Sequence, residues 1–201
     1  MRIKELPPTQ FSPEKWNPET RKRSKGLHLT EIIHALLEEQ GKSRKRTDLS
    51  EQDLAAYQSM GFLWERILEK ALASMEDGQD DIVRPGEIKM DDIYMTPDAI
   101  RVDPEVGLAL EEWKCTWKSS NHPIDTYEHW LMQIKSYCLA LNTRIAFLRV
   151  FHVNGTWNPP VPQVRQYLLE FTDEELALNW IAILNQAQKM KEERKNAGEE
   201  I

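Results

Sequence analysis

Residues 106–118, VGLALEEWKCTWK, constrain the fold more than any other stretch of this chain. Successive side chains of an extended strand point to opposite faces. Leu108, Leu110, Glu112 and Lys114 therefore share one face, and Ala109, Glu111, Trp113, Cys115 and Trp117 share the other. A strand that is apolar on both sides belongs in the middle of a covered sheet. An acid and an ammonium group on a buried face destabilise it unless something compensates them. The strand thus predicts an α/β fold and, within it, a charged site.

The rest of the chain supplies the remaining layers. Residues 1–26 read as an extended, basic arm, because Pro7, Pro8, Pro13 and Pro18 interrupt any helix. A helix is expected from Leu29 to Gln40, with Ile32, Ile33, Leu36 and Leu37 as its apolar stripe, Thr30 or an earlier residue as its cap and Gly41 at its end. A second helix is expected from Ser50 to Met75, with a possible break near Gly61. Ile88 to Met95 alternates like one strand, broken once at Asp91-Asp92. A strand through Ile100 and Val102, a turn at Asp103-Pro104 and the long strand follow. Then come a helix from Asp125 to Leu141 capped near Asp125, strands over 144–153 and 164–171, and a C-terminal helix over 173–195 opened by a capping box at Thr172 to Glu175. Asn154-Gly155 is a turn signal. The order predicts a mixed central β-sheet flanked by helices, built as a single domain over 27–201 with its core at about 50–153.

Asp98, in Thr96-Pro97-Asp98, ends the preceding strand, fourteen residues before Glu112. A hairpin between the two strands brings these carboxylates together. Two carboxylates with an ammonium beside them suit Mg²⁺ or Mn²⁺, which take hard oxygen ligands and retain some waters. The backbone carbonyl of Trp113, between Glu112 and Lys114, is a further candidate ligand. A metal held there lowers the pKa of bound water and polarises a phosphate ester. Lys114 then has two roles open to it: orienting or deprotonating the water, or stabilising charge on the transition state.

Pro97-Asp98 followed by Glu112-Trp113-Lys114 resembles the two halves of the PD-(D/E)xK nuclease motif. Gly61-Phe62-Leu63-Trp64-Glu65 is similar to the first motif of that superfamily, a helix whose glutamate, here Glu65, faces the metal directly or through water. Gln133-Ile134-Lys135-Ser136-Tyr137 is similar to the QxxxY motif of its RecB-like branch, which includes lambda-type exonucleases. Gln133 and Tyr137 are i and i+4 and share a helix face. The four elements come in the family's order. The resemblance implies a restriction-endonuclease-like core, a Mg²⁺ or Mn²⁺ cofactor, DNA as substrate, and Glu65, Asp98, Glu112, Lys114, Gln133 and Tyr137 as the site. Many RecB-like members carry histidine where this chain has Glu65; the lambda-type branch uses glutamate.

Other features bound the function. Cys115 and Cys138 are too few for the four thiolates of an iron–sulfur cluster and read as reduced, buried thiols. No GxxxxGK[ST] loop occurs, so ATP is not expected as a cofactor and unwinding would fall to a recombination or helicase partner. No apolar run approaches a membrane span and no secretory signal opens the chain, so a cytoplasmic location is expected, that of the host for a phage-encoded protein. Net charge is -7, yet residues 1–50 hold 11 Lys and Arg against 7 Asp and Glu. Two readings fit the runs Arg21-Lys22-Arg23 with Lys25 and Lys42 with Arg44-Lys45-Arg46: solvated loops, or contacts to DNA phosphates. His28, beside the first run, either touches phosphate or packs. The expected activity is a metal-dependent DNA exonuclease serving recombination, repair or phage DNA processing. A structure-selective endonuclease and a non-catalytic DNA-binding or assembly protein on a nuclease scaffold are the alternatives.

Overall fold

The computed structural model describes residues 24–42, 50, 52–53, 56, 59–61, 63–64, 66–67 and 82–198. Strand β1 (Leu27–His28) runs directly into helix α1 (Leu29–Glu39), which buries Leu29, Ile32, Ile33 and Leu37. His28 is its N-cap residue and gives no side-chain cap. The helix ends where Gly41 turns to a φ of 69°. There Gly41 N–H donates to Glu38 O and Lys42 N–H to Leu37 O, a Schellman pattern that satisfies the last carbonyls.

Residues 88–95 depart from the single broken strand expected. They form a hairpin of β2 (Ile88–Met90) and β3 (Ile93–Met95), with Met90 opposite Ile93. Asp91 and Asp92 have φ of 48° and 63°, so the break in alternation is a two-residue turn. Aspartate enters the left-handed region more easily than bulkier residues, and positive φ at both positions matches the twist of the flanking strands. β1 adds in parallel to β3, giving a three-stranded sheet of order β1-β3-β2.

The main sheet has the order β4-β5-β6-β7, from β4 (Ala99–Asp103), β5 (Gly107–Thr116), β6 (Ile145–His152) and β7 (Gln163–Glu170). β5 and β6 are parallel; the outer pairs are antiparallel. The sheet is therefore mixed, as expected. The crossover between β5 and β6 carries helix α2 (Glu128–Ala140). This helix begins three residues later than Asp125, after a 3-10 turn at Ile124–Thr126. Tyr127, at φ -92° and ψ 61°, interrupts the run. Its ring is buried and stacks on Trp130 at 4.1 Å, a packing gain that fixes the break. Helix α3 (Asp173–Asn196) opens with the expected capping box, both Thr172 and Glu175 bonds being formed.

Helix α2 lies on one face of the main sheet, against β5 and β6, and α1 and α3 pack against α2. Leu110, Ala146, Leu148 and Val150 meet Ile134, Tyr137, Cys138 and Ile183 in the larger core. On the other face Trp64, in a segment helical at its described positions, packs with Ala99 and Trp113 and stacks on Phe151 at 4.7 Å. β5 is thus buried on both sides. Burial pushes the free thiols of Cys115 and Cys138 up to about 11 and about 12, which keeps both protonated near neutrality. No helix among the described residues is long and apolar enough to cross a membrane.

Candidate metal centre

The register between β4 and β5 builds the site. Ala99 lies opposite Glu111, so Asp98, one residue before β4, faces Glu112. Asp98 precedes this strand rather than closing an earlier one. Its Oδ2 accepts from the Trp113 backbone N–H at 2.7 Å, which ties the carboxylate to β5. In an antiparallel pair the N–H and C=O of one residue face the same neighbour. The Trp113 carbonyl accordingly lies on the Asp98 side of β5.

Glu112 is 1% exposed. Its Oε1 accepts from Lys114 Nζ at 2.6 Å, while its Oε2 is buried with no hydrogen-bond partner among the described residues. Lys114 also donates to Gln133 Oε1 at 2.9 Å, and Gln133 Nε2 donates to the Tyr137 hydroxyl at 2.7 Å. One hydrogen-bonded line thus runs from the β5 carboxylate through the lysine to two residues one turn apart on α2. The structure brings together Asp98, Glu112, Lys114, Gln133 and Tyr137.

Electrostatics identify what this arrangement lacks. Burial, and then the neighbouring Asp98 carboxylate, push Glu112 up to about 8 against the pull of Lys114. Burial also raises Asp98, opposed by Lys114, the Trp113 amide and Arg84. Tyr137 is held well above its ordinary value by burial and by the charge of Glu112, so it stays a neutral phenol. Two crowded carboxylates that resist ionisation, one with an orphaned oxygen, form a donor set that a hard divalent cation would complete. Asp98, Glu112 and the Trp113 carbonyl fit that role. Among the described residues no three His, Cys, Asp or Glu side chains converge on one point. Glu65 lies outside the described residues.

Of the expected DNA contacts, Lys25 and His28 lie among the described residues. Arg21, Lys22, Arg23, Arg44, Lys45 and Arg46 also lie outside the described residues. Lys25 is exposed ahead of β1. His28 belongs to the small sheet and is 8% exposed, its Nε2 3.0 Å from Ser24 O. The ring packs against Tyr94, with centroids 5.7 Å apart.

Sequence reasoning missed two features. Glu111 is fully buried on the opposite face of β5. It takes Arg149 Nε and Nη2 at 3.0 Å each and Arg101 Nη1 at 3.1 Å, with Trp113 Nε1 at 3.3 Å. Arg101 is held in turn by Asp103 and lies over the Phe147 ring at 4.0 Å. The available signal was one charged residue on each of three strands at inward positions. The second feature is His129, one helical turn before Gln133 and half-buried beside the site.

No known family profile matches this chain, and no curated protein matches it. Solved structures do. The structure of SSO0001 is similar at a TM-score of 0.51 and 13% identity, covering 86% of this chain and 81% of that one. An alkaline exonuclease from Laribacter hongkongensis, LHK-Exo, is similar at a TM-score of 0.55 and 13% identity, covering 92% of this chain and 96% of that one. The chain shares their fold, a mixed sheet flanked by helices.

Proposed function

We propose that this protein is a divalent-metal-dependent deoxyribonuclease acting as an exonuclease. The observation that carries the proposal is the buried Oε2 of Glu112 beside Asp98, without a partner among the described residues, with Lys114 held at the same place by Gln133. The fold shared with an exonuclease across nearly its whole length supports the same reading.

Asp98 and Glu112, with the Trp113 carbonyl, would hold Mg²⁺ or Mn²⁺. When bound, the ion supplies Lewis acidity toward a phosphate and lowers the pKa of a water. The chain's own residues do the rest. Glu112, whose carboxyl burial and Asp98 push up, would be held as a carboxylate by the cation's field. Lys114 places a positive charge where negative charge grows on the phosphate oxygens. Gln133 and Tyr137 are positioning residues: Tyr137 keeps its proton, fixes the Gln133 amide, and Gln133 fixes the ammonium. β5, covered on both faces, gives the constellation a rigid base. Recombination, repair or phage DNA processing is the proposed setting, with any unwinding supplied by a partner.

The test is cleavage of end-labelled linear duplex and of a covalently closed circle, in Mg²⁺, Mn²⁺ or EDTA. Metal-dependent loss of the linear DNA alone is expected. Cleavage of the circle would establish an endonuclease instead, and absence of cleavage on either substrate would refute the enzyme.

A further inference from the structure

We infer that His129 contacts the DNA backbone beside the metal centre, its imidazole donating a hydrogen bond to a phosphate oxygen next to the scissile one. The inference rests on the nuclease reading and adds a residue that no motif supplies.

The geometry begins with α2. His129, Gln133 and Tyr137 are spaced i, i+4 and i+8, so they line one stripe of the helix. Gln133 turns that stripe toward Lys114, to which it is bonded at 2.9 Å. His129 therefore lies one turn further toward the helix start, on the flank of the ammonium, and it keeps part of its ring open to solvent. Cations surround this first turn from other elements. Lys118, just past β5, sits 4.7 Å over the ring of Tyr127, two residues before His129. Lys42, just past α1, holds Glu128 at 2.6 Å, so the nearest acid in sequence is already engaged.

Electrostatics agree with the geometry. Burial first, then Lys114, His34 and Lys118, push His129 down to about 4. Near neutral pH its ring is a neutral donor in a field set by Lys114 on β5 and Lys118 just after it. Such a field is unfavourable for a proton and favourable for an anion. A phosphate placed there offsets the two lysines and gives the imidazole N–H an acceptor. The same event makes protonation of His129 easier, so DNA binding and proton uptake are linked at this residue.

The test follows the His129 imidazole resonances by NMR, assigned by their loss in His129→Asn, with and without a short blunt duplex in EDTA. Without DNA the ring should stay neutral from about pH 5 to about pH 8; with DNA it should titrate inside that window. His129→Asn should weaken duplex binding by ~10-fold. Lys118→Gln changes an exposed side chain, and it should raise the free His129 midpoint and weaken binding in the same direction. An unmoved His129 resonance on a duplex that wild type binds and cleaves would overturn this inference alone. A wild type that neither binds nor cleaves DNA would overturn it together with the nuclease reading.

Discussion

Glu112 illustrates how one side chain carries both an instability and a use. Burial and then Asp98 push its carboxyl up to about 8 in the folded chain, against ~4.3 for an exposed glutamate. Between those values the folded state keeps a proton that the unfolded state has released. Stability of the metal-free protein therefore falls as pH rises through that range, and the loss is complete above the folded value. Thermal melts in EDTA from about pH 6 to about pH 9 should show this fall, a shallower one in Glu112→Gln, and restoration by Mn²⁺ in wild type only. Identical pH profiles for the two proteins would show that Glu112 is not the strained group. The pairing of Glu112 with Lys114 was legible in the sequence, because a period of two puts them on one face of an apolar strand. The role of Glu111 was not. Its partners Arg101 and Arg149 stand 10 and 38 residues away, and nothing local to any of the three names the others.

At the scale of elements, the site is a meeting of β5 with the start of β4 and one stripe of α2. β5 contributes charges, β4 brings Asp98 by register, and α2 holds the lysine in place. If α2 acts by positioning, Gln133→Leu should lower kcat by ~10- to 100-fold with little change in KM, since the ammonium remains but drifts. A rise in KM at constant kcat would instead make Gln133 a substrate contact. The elements themselves followed from periodicity and capping, and α3 shows why: Thr172 and Glu175 satisfy each other's backbone donors within four residues. Where expectation failed, a longer-range or less common local term intervened. Asp91-Asp92 turns through positive φ without the Asn-Gly signal, and Tyr127 leaves the helical path to stack on Trp130.

At the scale of the molecule, the main sheet divides two cores. The helix side holds the candidate metal centre, and the reverse side holds the Trp113 cluster and the Glu111 ion network. Both meet on β5, so damage to the reverse side should reach the site through the strand. Glu111→Ala leaves two guanidinium groups without their shared partner and should destabilise the protein by ~2–4 kcal/mol, at the lower end because both arginines reach solvent. Urea unfolding measures this, and a change below ~0.5 kcal/mol would mean that the arginines rehydrate freely. The mixed sheet was readable from the order of elements. The separate three-stranded sheet was not, because β1 is only two residues long and pairs with a strand 66 positions further on.

The central claim is that Asp98, Glu112 and Lys114 form a metal-dependent nuclease site, and the most direct measurement is nucleotide release from end-labelled linear duplex in saturating Mg²⁺ by wild type and Glu112→Gln. The account expects metal-dependent release by wild type and a loss of at least ~100-fold in the folded variant. Equal rates for the two proteins would contradict it.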